Sequence, residues 1–345
     1  MRKVVIIGGG FTGTKCAKAL EKDFSVILID HKTYFEFTPS ILRTIIEPEH
    51  IKKIQALHKN YLRKAQIING EVIEVERNYI KLKGKKKKVK YDYLIITSGS
   101  SYSSPIKEEG LIPTYRAKEL ISFHEVLKEA KKVLIIGGGL VGVELTAEIC
   151  THYNNKDITL VHSHPTLIER NNKKSQIYAE KFLKKHKVKI LFGERITGKE
   201  GKYFLTEKGK KIKTDISFMC VGTKPNFEFM EENFKNILSD KNQVIINEFC
   251  QVKGCRNIFA GGDITSIKEE KTAQAAERYA DIIIKNIRNS ELKKSLAIYH
   301  PKKGPMVISL GKYNGLFEYK NIVITGLIPA ILKKLIELKS MWHYK

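Results

Sequence analysis

Short, strongly apolar runs alternate with mixed segments along most of this chain. Residues 4–7, 25–29 and 133–136 are rich in valine, isoleucine and leucine. Runs of this length and composition are typical of the buried strands of a parallel sheet. The segments that follow the first and third runs are predicted to be helices. Alternating strands and helices indicate an α/β fold.

The later part of the chain continues this alternation, and residues 66–82 are predicted to form an antiparallel insert. A hairpin of residues 306–310 and 317–324 is expected to turn at Asn314-Gly315, and an amphipathic helix to begin at Pro329. We predict a linker at 100–113, helices at 117–130 and 272–289, and strands at 91–99, 158–162, 188–192, 203–206, 216–220 and 257–260.

A glycine-rich motif occurs twice, each time between an apolar run and a predicted helix. In this order of elements the turn brings backbone N–H groups at the positive end of a helix against the pyrophosphate of a dinucleotide. Two copies therefore predict two bound nucleotides. The motif residues are Gly8, Gly9, Gly10, Phe11, Thr12 and Gly13 in the first copy, and Gly137, Gly138, Gly139, Leu140, Val141 and Gly142 in the second.

The residue that ends the next strand differs between the two copies. Asp30 ends the strand after the first motif, where a carboxylate can reach a ribose 2′-hydroxyl, although a solvated strand end would also explain it. His162 and Ser163 hold the corresponding place after the second motif. An imidazole and a hydroxyl there would tolerate a 2′-phosphate, so we expect NADPH to be used within about tenfold of NADH.

The formal net charge is +25 and comes almost wholly from lysines spread along the chain. A solvated surface explains single lysines, and the run at residues 85–88 suits the tip of a hairpin. The excess still favours an anionic partner such as lipid headgroups, an acidic redox protein or nucleic acid. Charge alone does not choose among these three classes.

We expect neither a secretory signal nor a membrane-spanning helix. The chain starts with a run of apolar residues too short for a signal sequence. The longest apolar run, residues 322–332, contains Gly326 and Pro329 and is shorter than the about 20 residues that span a bilayer. The sequence therefore predicts a cytoplasmic protein without a transmembrane anchor.

The five cysteines show no paired spacing of a zinc site. Cys250 and Cys255 could form a redox-active pair or a staple across a turn, or they could be two separate buried thiols. His162 and His164 end a strand with no third ligand in sight. We therefore predict no metal site.

The motifs together resemble the two-dinucleotide-domain flavoproteins of the pyridine nucleotide-disulfide oxidoreductase family, over essentially the whole chain. Residues 34–39 are similar to type II NADH dehydrogenases, whereas residues 160–163 and 309–311 are similar to apoptosis-inducing-factor-homologous NAD(P)H:quinone reductases. Ser98 departs slightly from the family's usual Ala-Thr-Gly turn. Besides the glycine motifs, the resemblance rests on Asp30, on Thr97, Ser98 and Gly99, on Glu144, on Gly222, and on Gly262 and Asp263.

The resemblance implies two cofactors, FAD on the first unit and NAD(P)H on the second. The fold class we predict is α/β with two Rossmann-like dinucleotide-binding domains, the FAD domain being interrupted by the NAD(P) domain. A short hairpin and an amphipathic helix follow. The predicted boundaries are 1–112 and 246–298 for the FAD domain, 113–245 for the NAD(P)H domain and 299–345 for the C-terminal extension.

The family also implies roles for particular residues. Asp263 would hold the flavin ribityl chain, and Thr38 and Pro39 would lie against the flavin ring. Glu144 would lie beside the nicotinamide, unless it is an ordinary first-turn glutamate that complements the helix dipole. The helix N-terminus that would face the flavin pyrimidine edge comprises Thr272, Ala273 and Gln274.

The electron acceptor implied by the resemblance is a quinone. Only Cys16 falls where the disulfide-reductase branches carry their cysteines, and it has no partner in the sequence there. Two alternatives stay open: a soluble ferredoxin or rubredoxin reductase, and a basic flavoprotein that binds nucleic acid. The second is disfavoured because the chain lacks base-reading and stacking motifs.

A helical stripe near the C-terminus suits a membrane surface. We expect it to bind anionic lipid and to place the protein peripherally on the inner face of the cell membrane. The alternative is a helix packed on its own domain or on a second copy in a homodimer. The stripe comprises Ile328, Ile331, Leu332, Leu335, Leu338 and Trp342.

Overall fold

The computed structural model describes residues 1–102, 111–113, 117–221 and 223–344. Its core contains two five-stranded sheets, and every pairing within each of them is parallel. The first sheet has the order Ile258–Ala260, Tyr93–Ile96, Lys3–Ile7, Ser25–Asp30 and Gln66–Asn69. The second has the order Leu111–Pro113, Ile216–Met219, Lys132–Ile136, Asp157–His162 and Lys189–Phe192. The predicted α/β class with two Rossmann-like units is confirmed.

The central strand of each sheet, Lys3–Ile7 or Lys132–Ile136, leads through a glycine turn into a helix. We call these helices the first glycine helix (Phe11–Leu20) and the second glycine helix (Leu140–His152). Strand Ile258–Ala260 returns to the first sheet after the second sheet is complete. The late helix (Ala273–Glu291) then packs on the first glycine helix, where Thr12 Oγ1 donates to the Ala276 carbonyl at 2.8 Å. The domain boundaries at residues 112, 245 and 298 stay predictions.

Smaller antiparallel units surround the two sheets. Gln66–Asn69, expected in the antiparallel insert, instead forms the edge of the first parallel sheet. The predicted helix 117–130 is two helices, Ala117–Ser122 and His124–Glu129, on either side of Phe123.

Other helices are Ile51–Ile54, His58–Tyr61, Lys173–Lys185 and Glu231–Phe234. Short 3₁₀ turns span Thr38–Ile45, Pro48–His50, Glu228–Met230 and Lys235–Ile237. The antiparallel strands are Tyr34–Glu36 with Gln55–Leu57, Ser100–Tyr102 with Thr223–Pro225, Val72–Val75 with Tyr79–Leu82 and Val89–Lys90, and Ile196–Glu200 with Tyr203–Thr206 and Lys211–Lys213.

The C-terminal hairpin has a third strand that the sequence analysis did not separate. The strands are Met306–Ser309, Gly315–Tyr319 and Ile322–Gly326. The predicted strand 317–324 is interrupted because Lys320 adopts a φ of +52° and reverses the chain there. The C-terminal helix (Leu327–Trp342) follows directly and carries Pro329 in its first turn, where a missing N–H costs no helical hydrogen bond.

Candidate active site

The first glycine turn brings the strand, the helix and a neighbouring loop into close contact. A Cβ at Gly8, whose φ is +98°, would clash with the Thr97 carbonyl, and one at Gly13 would clash with the Gly8 carbonyl. Thr97 Oγ1 also donates to the Gly8 carbonyl at 2.9 Å. The second turn repeats these restrictions at Gly137 and Gly142. Both motifs therefore need glycine for backbone packing as the fingerprint requires.

The open face of each turn fits a pyrophosphate. A Cβ at Gly10 or Gly139 would contact no atom of the described chain within 4 Å. These two glycines are the N-cap residues of the glycine helices and carry no side chain that could cap them. The first N–H groups of both helices therefore face open space with their donors available to an anion.

Asp30 lies beside the first turn, where Oδ2 accepts a hydrogen bond from Gly9 N at 3.1 Å. The same oxygen is 3.2 Å from Nε2 of His58, a buried residue that sequence analysis missed. Burial raises the pKa of Asp30, but hydrogen bonds from His31 and His58 outweigh it, and the pKa lies well below its ordinary value. The carboxylate is therefore ionised and acts as an acceptor.

His162 occupies the equivalent position beside the second turn. Its Nδ1 accepts a hydrogen bond from Gly138 N at 3.1 Å, as Asp30 accepts one from Gly9. Its Nε2 lies 3.4 Å from Oε2 of Glu169, a carboxylate that the sequence did not place at this strand end. Burial lowers the pKa of His162, which keeps the ring neutral at pH 7.

One cavity of about 720 Å³ lies between the two units and the C-terminal helix. It brings together most of the residues that the sequence analysis selected for the flavin ring and the nicotinamide. Those that line it are Phe11, Thr38, Pro39, Leu140, Val141, Glu144, Asp263, Thr272, Ala273 and Gln274.

Asp263 faces this cavity and accepts a hydrogen bond from Ser100 Oγ at 3.0 Å. Burial raises its pKa above the ordinary value. Thr272, which also lines the cavity, caps the late helix by accepting a hydrogen bond from Ala275 N at 3.2 Å, so its hydroxyl already has a partner within the fold. The predicted contacts with the flavin stay predictions.

Glu144 is more than a first-turn glutamate. Its Oε1 accepts hydrogen bonds from Ser309 N at 2.7 Å and from Lys333 Nζ at 3.0 Å. Lys333 belongs to the C-terminal helix, so this carboxylate links the second glycine helix to the tail. The link spans 189 residues, and no local sequence signal could have indicated it.

The C-terminal helix and the residues after it form one wall of the cavity. Tyr344 stacks on Phe35 with ring centroids 4.0 Å apart, and its hydroxyl is 3.3 Å from Thr14 Oγ1. The tail therefore packs on its own chain, which was one of the two alternatives from the sequence. The wall residues are Lys333, Ile336, Lys339, Ser340, His343 and Tyr344.

A family model described as pyridine nucleotide-disulphide oxidoreductase matches residues 2–280. The chain belongs to this family. Apoptosis-inducing factor homolog B of Dictyostelium discoideum is 32% identical over 377 residues, covering 99% of this chain and 95% of that protein. Family membership makes the protein an NAD(P)H-dependent flavoprotein oxidoreductase, and it confirms FAD and NAD(P)H as cofactors.

Two solved structures show the same fold. NDH2 from Plasmodium falciparum, in complex with NADH, aligns with a TM-score of 0.87 at 15% identity, over 99% of this chain and 96% of that one. The sulfide:quinone oxidoreductase of Aquifex aeolicus aligns with a TM-score of 0.85 at 19% identity, over 99% and 91%. The resemblance to the apoptosis-inducing-factor homologues is confirmed by the Dictyostelium discoideum relative, and these two structures add that the fold is shared.

The family's name refers to a disulfide, yet Cys250 and Cys255 are not joined by one in this member. Both lie within the described ranges, and each is a free thiol. Burial raises the pKa of both Cys250 and Cys255 above that of an ordinary thiol. None of the chain's five cysteines is among the residues that line the cavity. The two separate thiols allowed by the sequence are therefore what the structure contains.

The loops around the cavity hold the remaining predicted residues. Gly99 has a φ of +67°, and Ser98 exchanges two 2.8 Å hydrogen bonds with Asn226. Ser98, where this turn departs from the family's usual residue, thus forms hydrogen bonds with a neighbouring loop. Gly262 lies beside Thr12, and Gly222 falls outside the described residues.

A buried ionisable pair holds the C-terminal helix against the first unit. Glu337 Oε2 is 3.0 Å from His50 Nε2, and both side chains are less than one-tenth exposed. Burial raises the pKa of Glu337, but hydrogen bonds from His50 and Ser40 outweigh it and lower the pKa below its ordinary value. Glu337 lies outside the predicted apolar stripe, and no local sequence signal indicates this inward contact.

Glu337→Leu should destabilise the fold by roughly 3 kcal/mol, because His50 is left buried without its partner. A His50→Phe/Glu337→Leu double variant should recover most of this loss.

Since the pKa of Glu337 is lowered by folding, its stabilisation is present above about pH 4.3 and is lost as the pH falls through the folded pKa. Urea unfolding at pH 7 and at lower pH measures this. Equal stability of wild type and Glu337→Leu at pH 7 would show that the pair contributes nothing.

Proposed function

We propose that this protein is a membrane-associated NAD(P)H:quinone oxidoreductase. FAD, when bound, would accept a hydride from NAD(P)H and pass two electrons to the quinone, which also takes up two protons. The chain's own part is to position both reactants and to control charge. We assign Asp263 to the ribityl chain, Thr38 and Pro39 to the flavin ring, and Glu144 with Lys333 to the nicotinamide side of the cavity.

The observation that carries the quinone assignment is the two-sided C-terminal helix. One side lines the cavity through Lys333, Ile336 and Lys339, whereas the other side exposes a continuous apolar face. Each of its large side chains is between 50% and 80% exposed. The exposed set comprises Leu327, Ile328, Ile331, Leu335, Leu338 and Trp342, and Ile322 and Ile324 on the preceding strand are also exposed.

An apolar face of this kind suits the boundary of a bilayer. Trp342 is 80% exposed at the end of the helix, where an indole ring suits a membrane interface. The exposed Lys334 and Lys339 lie on the same helix, and the whole chain carries a net charge of +25, which favours anionic lipid. No helix within the described ranges is long and apolar enough to cross a membrane.

Quinones reside in the bilayer, so a cavity whose wall is the membrane-facing helix gives them a short route to the flavin. The Aquifex aeolicus protein with this fold is a sulfide:quinone oxidoreductase, which is in keeping with a quinone acceptor. We place the protein on the inner face of the cell membrane, where NAD(P)H is available. A second copy of this chain is the alternative occupant of the apolar face.

An acceptor screen on the purified holoenzyme tests this function. With NADH in excess, we expect reduction of a long-chain quinone in anionic liposomes to be much faster than reduction of ferredoxin or rubredoxin. Liposomes should raise the rate with long-chain quinone and leave the rate with ferricyanide unchanged. Faster turnover with ferredoxin, unaffected by liposomes, would favour the soluble-carrier alternative instead.

A further inference from the structure

The loop that follows the strand Asp157–His162 is fixed against the second glycine turn. Ile168 N donates to the Gly138 carbonyl at 2.9 Å, and a Cβ at Gly138 would clash with Leu167 and His162. Gly138 therefore accepts a hydrogen bond from this loop at its carbonyl and donates one to His162 through its N–H. The loop lies where the adenosine ribose of a dinucleotide on this turn would lie.

Ile168 in this loop has a φ of +42° and is buried. Positive φ is a genuine outlier for a β-branched residue and costs about 1–3 kcal/mol. Strain of this kind persists where a site needs the geometry. The side chain that this backbone positions is the next one, Glu169.

Glu169 places a carboxylate beside the end of the strand Asp157–His162, where the last residue of the strand itself is a histidine. Its Oε2 is 3.4 Å from His162 Nε2, and its side chain is 35% exposed, so it can reach both the ring and a ligand. Since Nδ1 of His162 accepts from Gly138, the neutral ring carries its proton on Nε2, which lies 3.4 Å from Glu169 Oε2 without a hydrogen bond in the described structure. The same proton opposes a metal ion at the cluster of His162, His164 and Glu169.

We propose that Glu169, which lies beside His162, selects NADH over NADPH at the second glycine turn. An ionised carboxylate accepts a hydrogen bond from a ribose 2′-hydroxyl and repels a 2′-phosphate. This replaces the expectation of near-equal use that followed from His162 alone. It rests on the proposed function only in placing the nicotinamide nucleotide on this turn.

Arg170 is the neighbouring group that could act in the opposite direction by binding a 2′-phosphate. Its side chain is 77% exposed and lies 3.9 Å from Glu270, so Glu270 competes for it. Comparing Glu169→Gln with Arg170→Gln therefore distinguishes selection of NADH by Glu169 from binding of a 2′-phosphate by Arg170.

Binding of ADP-ribose and of 2′-phospho-ADP-ribose to the holoenzyme, measured by calorimetry without any electron acceptor, tests the proposal. The wild type should prefer ADP-ribose, and Glu169→Gln should reduce that preference about tenfold, whereas Arg170→Gln should not. Unchanged flavin absorption confirms that each variant is folded. Zn²⁺ added alone should not bind with micromolar affinity.

The outcomes separate this inference from the proposed function. If the wild type binds neither compound, the nucleotide site itself is misplaced and the proposed function fails with it. If both compounds bind and Glu169→Gln leaves their ratio unchanged, only the role of Glu169 is overturned. Tight Zn²⁺ binding that Glu169→Gln abolishes would make the cluster a metal site and would also overturn it.

Discussion

Asp263→Ala should yield a protein that purifies without its flavin. Asp263 faces the cavity just after the strand Ile258–Ala260, where its carboxylate is the group placed to accept a hydrogen bond from the ribityl chain. A hydrogen bond to a charged group contributes about 1.5–3 kcal/mol, so flavin affinity should fall by roughly 10- to 150-fold. Visible absorption after purification and FAD titration of the apoprotein measure the loss.

Ser100→Ala is the matched control, because it removes the donor to Asp263 without removing the carboxylate. It should weaken flavin binding much less. Full flavin occupancy in Asp263→Ala, with normal thermal stability, would remove this aspartate from the flavin site.

A variant with serine at Ile328, Ile331, Leu335 and Leu338 should lose reduction of long-chain quinone in liposomes. Each side chain is at least half exposed, so the fold should tolerate the change. At about 1 kcal/mol for each of the four half-inserted side chains, membrane affinity should fall by roughly a thousandfold. Reduction of ferricyanide should be little changed, since none of the four residues lines the cavity. Vesicle sedimentation and parallel assays of the two acceptors measure this.

Serine at Ile177, an exposed isoleucine on another helix, is the control substitution. Retained liposome activity in the quadruple variant would contradict the membrane role. A change from dimer to monomer in gel filtration, with liposome activity retained, would instead assign the face to a second copy.

Deletion of residues 329–345 is a poorer test than the sequence alone would indicate. From the motifs, this deletion should spare activity with a soluble acceptor, because neither glycine unit is touched. The structure shows that the deleted segment contains a wall of the cavity, including Lys333 and Tyr344. It also contains the buried Glu337. We therefore expect the truncated protein to lose flavin as well as membrane binding.

The parts of the site that the sequence predicted are those with local physical causes. A Cβ would clash at two glycines of each turn, and this restriction gives the motif its fixed spacing in the sequence. The glycines are Gly8, Gly13, Gly137 and Gly142. Asp263 follows an apolar strand at its carboxyl end, a place that topology fixes in a parallel sheet. The two Rossmann-like units follow from the same local alternation.

The parts that could not be predicted depend on contacts between distant segments. Lys333 reaches Glu144 across 189 residues, and Glu337 reaches His50 across 287. Glu169 comes to His162 because a loop turns back through an unfavourable φ at Ile168, which propensity argues against. The third strand of the C-terminal sheet was missed because the turn at Lys320-Asn321 contains neither glycine nor proline to mark it.

Single turnover without oxygen measures directly the proposed electron transfer from NAD(P)H through the flavin to a membrane quinone. The holoenzyme bound to anionic liposomes is mixed with one equivalent of NADH, and a long-chain quinone in the same membrane is then added. We expect that the visible flavin absorption disappears with NADH and returns with one quinone consumed for each flavin, at least as fast as steady-state turnover. Absorption that stays bleached with quinone but returns with ferredoxin would contradict it.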